Sequence, residues 1–179
     1  MLFRYRSFLA RLFRFMDRPW YLALVAALAF FDLFCGVIPI EVFLVSAVVV
    51  KPRRWGWAFL LTTSGSALGA LFLGALVQWD SSWIMNHLFS SLSRSQSWVQ
   101  MTEFVSRYGA LALGSIAVSP FPQQPAVAIA ALSKMPLPVL FVSVWAGRAI
   151  KYGFFAWAGS HAPGLVSRWQ KPVEEKKAA

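Results

Sequence analysis

The stretch FFDLFCGVIPIEVFLVSAVVV, Phe30 to Val50, decides how the rest of the chain is read. It is apolar enough for a membrane, yet it carries Asp32, Pro39 and Glu41. A lipid-facing helix avoids such residues, because a charge in hydrocarbon must pair, protonate or face water. The stretch belongs to an apolar run of thirty residues, Tyr21 to Val50. As one straight helix that run would reach roughly 45 Å, against a hydrocarbon core of about 30 Å. Two full spans of about 20 residues each would not fit into it. A re-entrant hairpin over residues 21–50 does fit, with its turn near Gly36 and Pro39, where the helix breaks. Non-helical backbone at membrane depth is tolerated only inside protein or beside a water-filled cavity.

Composition points the same way. The 179 residues are 58% hydrophobic and only 13% charged, where a soluble domain carries about 25% charged residues. The net charge of +10 raises nucleic acid as a partner. The positive residues, however, stand at the ends of apolar runs, as topology signals do, so no nucleic acid is expected. The single Cys35 lies inside the apolar run and offers neither an intramolecular disulfide nor a metal cluster.

Residues 1–19 read as a basic amphipathic helix lying in the interface. Arg4, Arg11, Arg14 and Arg18 share one arc, opposite Leu2, Tyr5, Leu9, Leu12, Phe13 and Met16. A transit peptide is the lesser alternative. Arg18 precedes the first apolar run, and Lys51, Arg53 and Arg54 follow it. A hairpin returns to the side it left, so both basic flanks fall on one face, which the positive-inside rule makes cytoplasmic.

A span of proper length follows over residues 55–77, with Trp55 and Trp57 as interface anchors. Gly65, Ser66, Gly69, Ala70 and Gly74 give it a small-residue face for close packing within the chain. Asp80 to Ser97 reads as an interfacial helix and loop, in which His87 is a surface histidine. Residues 98–118 read as one helix, with Glu103 and Arg107 as a local i,i+4 pair.

The pattern then returns in SPFPQQPAVAIAALSKMPLPVLFVSVWAGRAIKYGFFAWAG. In each half a proline, Pro39 or Pro122, precedes a lysine, Lys51 or Lys134, by twelve residues. A small apolar run lies between them, and a helix with a central glycine, Gly65 or Gly147, follows. The second hairpin is expected over 114–133 and the last span over 137–159, followed by a basic cytoplasmic tail, 161–179. The expected fold is therefore an all-α integral membrane protein. It is an inverted repeat of re-entrant hairpin plus transmembrane helix, with residues 20–160 as one membrane domain. Twelve Lys and Arg residues fall on the inside and only Arg94, Arg107 and Lys134 outside, with Arg148 and Lys151 within the last span. Inverted repeats with broken helices meeting at mid-membrane are a transporter arrangement.

The charged and polar residues of these segments are the candidate site. Glu41 and Asp32 suit proton coupling or gating; alternatively Asp32 caps the broken helix and Glu41 neutralises an arginine. Arg148 lies too deep to reach the interface easily. It pairs with a carboxylate, with Glu41 as the natural static partner, or binds an anionic headgroup, or does both in turn, since its fork matches two phosphate oxygens. Lys151, three residues on, can snorkel to the cytoplasmic interface. Around the second turn, Pro120, Pro122 and Pro125 flank Gln123 and Gln124, which bond a headgroup or only satisfy broken backbone. Thr62, Thr63, Ser64 and Ser66 have no histidine near them. With no nucleophile–base pair, glycine phosphate loop or metal-ligand spacing in the sequence, an enzyme is not expected, nor a cofactor, nor a metal.

These motifs resemble the DedA family, also called VTT-domain or SNARE-associated membrane proteins, and most closely its short YqaA-like branch. DLFCGVIPIE resembles the family's acidic residue, proline-rich turn and second acidic residue, at Asp32, Pro39 and Glu41, with Gly36 where many members have another proline. SPFPQQPAVAIAALSKM is similar to the branch's second turn and small apolar run ending in Lys-Met, and GRAIKY to the glycine–arginine segment of the last span. Together they cover roughly residues 21–160. The chain departs at Gln124, where members commonly have a cation, which leaves Arg148 to serve alone. The resemblance implies two facing re-entrant hairpins in a bacterial inner membrane and the movement of undecaprenyl phosphate or phospholipid, in some members with the proton gradient. A membrane lipid is thus the expected partner, with a second copy of the chain left open. A non-transporting scaffold and a small-ion or metabolite transporter are the alternatives.

Overall fold

The computed structural model describes residues 20–35, 39–87, 89–90, 95–119 and 121–161. Gly36, Pro120, Arg94, the expected interfacial helix over 1–19 and the tail beyond His161 lie outside the described residues. Within them all regular structure is helical and no strand occurs.

Helix α1, Trp20–Cys35, contains neither glycine nor proline and ends just before Gly36 in the sequence. Pro39 then stands at the N-cap of α2, Ile40–Val50, where its missing N–H costs nothing. Glu41 falls in the first turn of α2, at the positive end of the helix dipole. Lys51, extended before Pro52 as a pre-proline residue tends to be, ends α2. A 3-10 turn, Pro52–Arg54, leads into α3, Trp55–Trp79. A short α4, Ser81–His87, precedes α5, Gln96–Tyr108. The helix expected over 98–118 is in fact two, because Gly109 takes φ +53° and starts α6, Ala110–Val118, in a new direction. Only glycine adopts that conformation without strain. Helix α7, Gln124–Leu132, follows the second proline turn, and α8, Leu137–Ser160, ends the described chain. Lys134, at φ +55°, closes α7 in a Schellman motif: its N–H donates to Ala131 O and that of Met135 to Ala130 O.

Two helices, Pro52–Trp79 (the 3-10 turn with α3) and Leu137–Ser160, are long and apolar enough to cross a membrane. They pack side by side, antiparallel: Gly74 of α3 lies against Leu140 of α8, and Phe59 against Gly153. Around this pair the contacts repeat. Helix α1 packs on α3 as α6 packs on α8, and each proline-led short helix crosses over, α2 onto α8 and α7 onto α3. The close approaches are made by glycines ten residues into each long helix. A Cβ on Gly65 would strike the backbone of Ala26 in α1, and one on Gly147 the backbone of Gly114 in α6. Such small-residue contacts suit helices that hydrophobic exclusion from water does not press together.

Helix α7 is buried along nearly its whole length, Pro125 through Ala131, in the larger apolar cluster with Leu73, Leu113, Leu140 and Val144. The other broken segment sits in a second cluster, Ile40, Leu44 and Val48 with Tyr152 and Ala156. The outer surface is also apolar: Phe31, Leu68, Phe72, Ile150, Phe154 and Trp157 are all exposed.

Candidate anion site at the junction of the broken helices

Arg148 is 6% exposed, yet both of its hydrogen-bond partners are neutral. Its Nε donates to Gln123 Oε1 at 2.7 Å, and its Nη1 donates to the Tyr152 hydroxyl at 2.7 Å. The guanidinium also lies over the Tyr152 ring, 5.3 Å from its centroid. Gln123 comes from the turn that leads into α7, and Tyr152 is one helical turn beyond Arg148 on α8. The cation therefore stands where the second proline turn meets the long helix.

The expected Arg148–Glu41 bridge does not form; no ion pair joins them among the described residues. Glu41 is held instead by Lys151, Oε1 to Nζ at 2.6 Å. Lys151 accordingly does not snorkel to the interface. Its ammonium turns inward, to Glu41 and to the carbonyl of Ser119 at 3.5 Å. The reason is position: α2 crosses onto α8 so that the N-terminus of α2 meets the face carrying Lys151, while the Gln123 turn occupies the face of Arg148. A single ammonium thus touches both breaks, the carboxylate after Pro39 and the carbonyl that ends α6.

The two broken segments also touch directly, since Gln124 Nε2 donates to the backbone carbonyl of Asp32 at 3.3 Å. Asp32, half-buried on the last turn of α1, is thus drawn into the same region through its backbone. Gln123, 3% exposed, spends Oε1 on Arg148 and leaves Nε2 without a partner. Pro39 and Pro122 are exposed at the two turns and Pro125 is buried.

Sequence reasoning missed Tyr152 and the hydroxyls of α3. Thr62, Thr63 and Ser66 are buried, and their oxygens lack hydrogen-bond partners. The Ser66 hydroxyl lies beside that of Tyr152, without a hydrogen bond of ordinary geometry. The signal was available: polar residues at i, i+1 and i+4, within one arc of an apolar span, face protein, not lipid, and Tyr152 is four residues from Arg148 on the same helix face. The expected Glu103–Arg107 pair is also absent; Arg107 sits over the Tyr108 ring at 5.5 Å. His87 stacks on Trp83 at 4.5 Å on the surface. No group of three or more His, Cys, Asp or Glu that could hold a metal ion occurs among the described residues.

A desolvated cation whose hydrogen-bond partners are all neutral is costly, which makes Arg148 the candidate point for an anion. No family model, curated protein or solved structure matches the chain.

Proposed function

We propose that the chain is an integral membrane protein built from two inverted broken-helix repeats, and that it carries a phosphate-bearing lipid across the bilayer. The repeated packing supports the inverted arrangement, with α1, α2 and α3 matched by α6, α7 and α8. Helices α1 and α2 have 16 and 11 residues and α6 and α7 nine each, all shorter than the roughly 20 residues a span requires. They fit re-entrant arms, and the exposed apolar outer surface fits surrounding lipid. The basic flanks favour a cytoplasmic placement of both termini, and the resemblance to the DedA family supports the same class and a bacterial inner membrane.

The observation that carries the reading is Arg148, a buried guanidinium with only neutral hydrogen-bond partners, set at the meeting point of the broken segments. A lipid phosphate would supply the missing counter-charge while its tails stay in the bilayer. Lys151, one turn away, is held by Glu41. A proton taken by Glu41 would release Lys151 toward the headgroup, which is how a pH gradient would couple to movement.

The test is translocation. Proteoliposomes of the full chain should equilibrate tail-labelled phosphatidylglycerol or a polyprenyl phosphate between leaflets faster than empty vesicles, and Arg148→Gln should abolish the gain. No acceleration of any phosphate-bearing lipid, with or without a pH gradient, contradicts the proposal. The Glu41–Lys151 contact favours one second reading, a scaffold in which the charges are a fixed brace. Full cellular function in the swapped variant Glu41→Lys with Lys151→Glu would select the scaffold, since a proton-released lysine cannot work in reverse.

A further inference from the structure

The charges around Arg148 count to a small number. Arg148 is the cation whose hydrogen-bond partners are all neutral. Lys151 is compensated by Glu41 at 2.6 Å. The facing turn contributes Gln123 and Gln124, which carry no charge. Asp32, half-buried, lies near enough to act electrostatically on Tyr152 and adds negative charge, so among the described residues the site offers at most one positive charge in excess and no second.

What it offers in quantity is neutral donors. Two of the five guanidinium N–H donors of Arg148 are engaged, leaving three. Gln123 Nε2 is buried and unpartnered, and so are the hydroxyls of Thr62, Thr63 and Ser66. Those three residues fall within an arc of about 100° on α3. The arc lies between the face where Gly65 and Gly69 meet α1 and the face where Gly74 meets α8. The Ser66 hydroxyl lies beside that of Tyr152 without bonding it, and the Tyr152 hydroxyl accepts from Arg148. Gln123, Arg148 and Tyr152 are thus linked, with Ser66 beside Tyr152 and Thr62 and Thr63 one turn earlier on the same arc of α3.

A buried polar atom left unpaired is destabilising, and four occur here, one on Gln123 beside Arg148 and three on one arc of α3. Their cost is removed if an acceptor-rich group bonds them. A phosphate monoester carries close to two negative charges above its second pKa of about 6, and the second charge would find no counter-cation here. A phosphodiester carries one, matching Arg148, and presents its remaining oxygens to neutral donors. We infer that the site takes a singly charged phosphodiester headgroup in preference to a doubly charged monoester, with Ser66, Thr62 and Thr63 as the neutral donors that bind its oxygens. This inference rests on the lipid-carrier reading above and names the substrate class of that same site.

The experiment compares two lipids with the same glycerol backbone and the same labelled tails, phosphatidylglycerol and phosphatidic acid. Each is placed at low abundance in phosphatidylcholine vesicles containing the full chain, at pH 8. The expected result is phosphatidylglycerol moving at least about tenfold faster than phosphatidic acid, as an uncompensated buried charge demands. Equal or faster movement of phosphatidic acid overturns the inference while leaving lipid transport standing. Movement of neither lipid overturns the carrier reading and this inference with it.

Near-isosteric variants give a second readout. Thr62→Val, Thr63→Val and Ser66→Ala remove hydroxyls that the protein itself does not bond, so thermal stability in detergent should hold or rise. Phosphatidylglycerol movement should fall about fivefold or more, the value of one lost hydrogen bond. A triple variant that is as stable as the parent and moves phosphatidylglycerol at the parental rate overturns the role given to the hydroxyls. So does one that loses stability, which would show that they brace the fold.

Discussion

Replacing Lys151 by glutamine removes the cation that holds Glu41, and the structure sets the size of the effect. At 2.6 Å the direct attraction is about 6 kcal/mol for an effective dielectric constant of about 20. Much of that is cancelled by the cost of taking both ions out of water. The side chains keep 15% and 30% of their exposure, so the pair lies between two measured regimes. Exposed pairs are worth about 0–1 kcal/mol, and breaking a buried pair costs about 3–5 kcal/mol. The expected loss is about 2 kcal/mol, up to a thirtyfold change in the folded-to-unfolded ratio. Equilibrium unfolding in mixed micelles measures it, and a double-mutant cycle isolates the pairwise part. With Glu41→Gln as the second change, the coupling to Lys151→Gln should be about 1.5–2 kcal/mol. The same cycle with Arg148→Gln, whose guanidinium bonds neutral groups instead, should give less than about 0.5 kcal/mol. A larger coupling to Arg148 than to Lys151 would refute the assignment of partners, and with it the idea that Arg148 is kept available for an anion.

Three further outcomes follow from local geometry. Gly65→Ala and Gly147→Ala each drive a methyl into the backbone of the facing helix and should cost about 1–3 kcal/mol in the same unfolding assay; Gly56→Ala, with nothing within 4 Å, should be neutral or slightly stabilising. Lys134→Gly relieves the positive φ at the end of α7 and should stabilise by about 0.5 kcal/mol, the relief of strain outweighing the added chain entropy of the unfolded state. Asp80, outside the spans, accepts from the Trp83 N–H at 3.0 Å and from the Ser82 hydroxyl at 2.8 Å, and these bonds hold its pKa below the ordinary carboxylate range. Its folded pKa being depressed, its contribution to α4 is fully present above the unfolded value of about 3.9 and is lost as pH falls through the lower folded value. The Trp83 amide protection factor should report that loss, and Asp80→Asn should flatten it.

The elements that follow from local rules could be read directly. Pro39 and the pre-proline Lys51 delimit α2 because proline chemistry acts on its nearest neighbours. The apolar runs before Asp80 and before His161 give α3 and α8 by length and hydropathy. Gly109 was harder: helical periodicity continues on both sides of it, and only the positive φ reveals the break. The partner of Glu41 was beyond local rules altogether. Arg148 and Lys151 are three residues apart on one helix, and which of them meets Glu41 depends on where α2 crosses α8, a long-range fact. The α3 hydroxyls were passed over for a similar reason. Read as possible nucleophiles they lacked a histidine; read as donors they needed Tyr152 and Arg148 from a helix some eighty residues away.

The most direct measurement is a high-resolution structure of the full chain in lipid nanodiscs. The account predicts phosphate density within hydrogen-bond distance of Arg148, beside Gln123 and the Ser66 hydroxyl, with an acyl chain leading out to the bilayer, and Lys151 on Glu41 or turned to the phosphate. A dry, closed junction in which Arg148 has taken a protein carboxylate as its partner would contradict it.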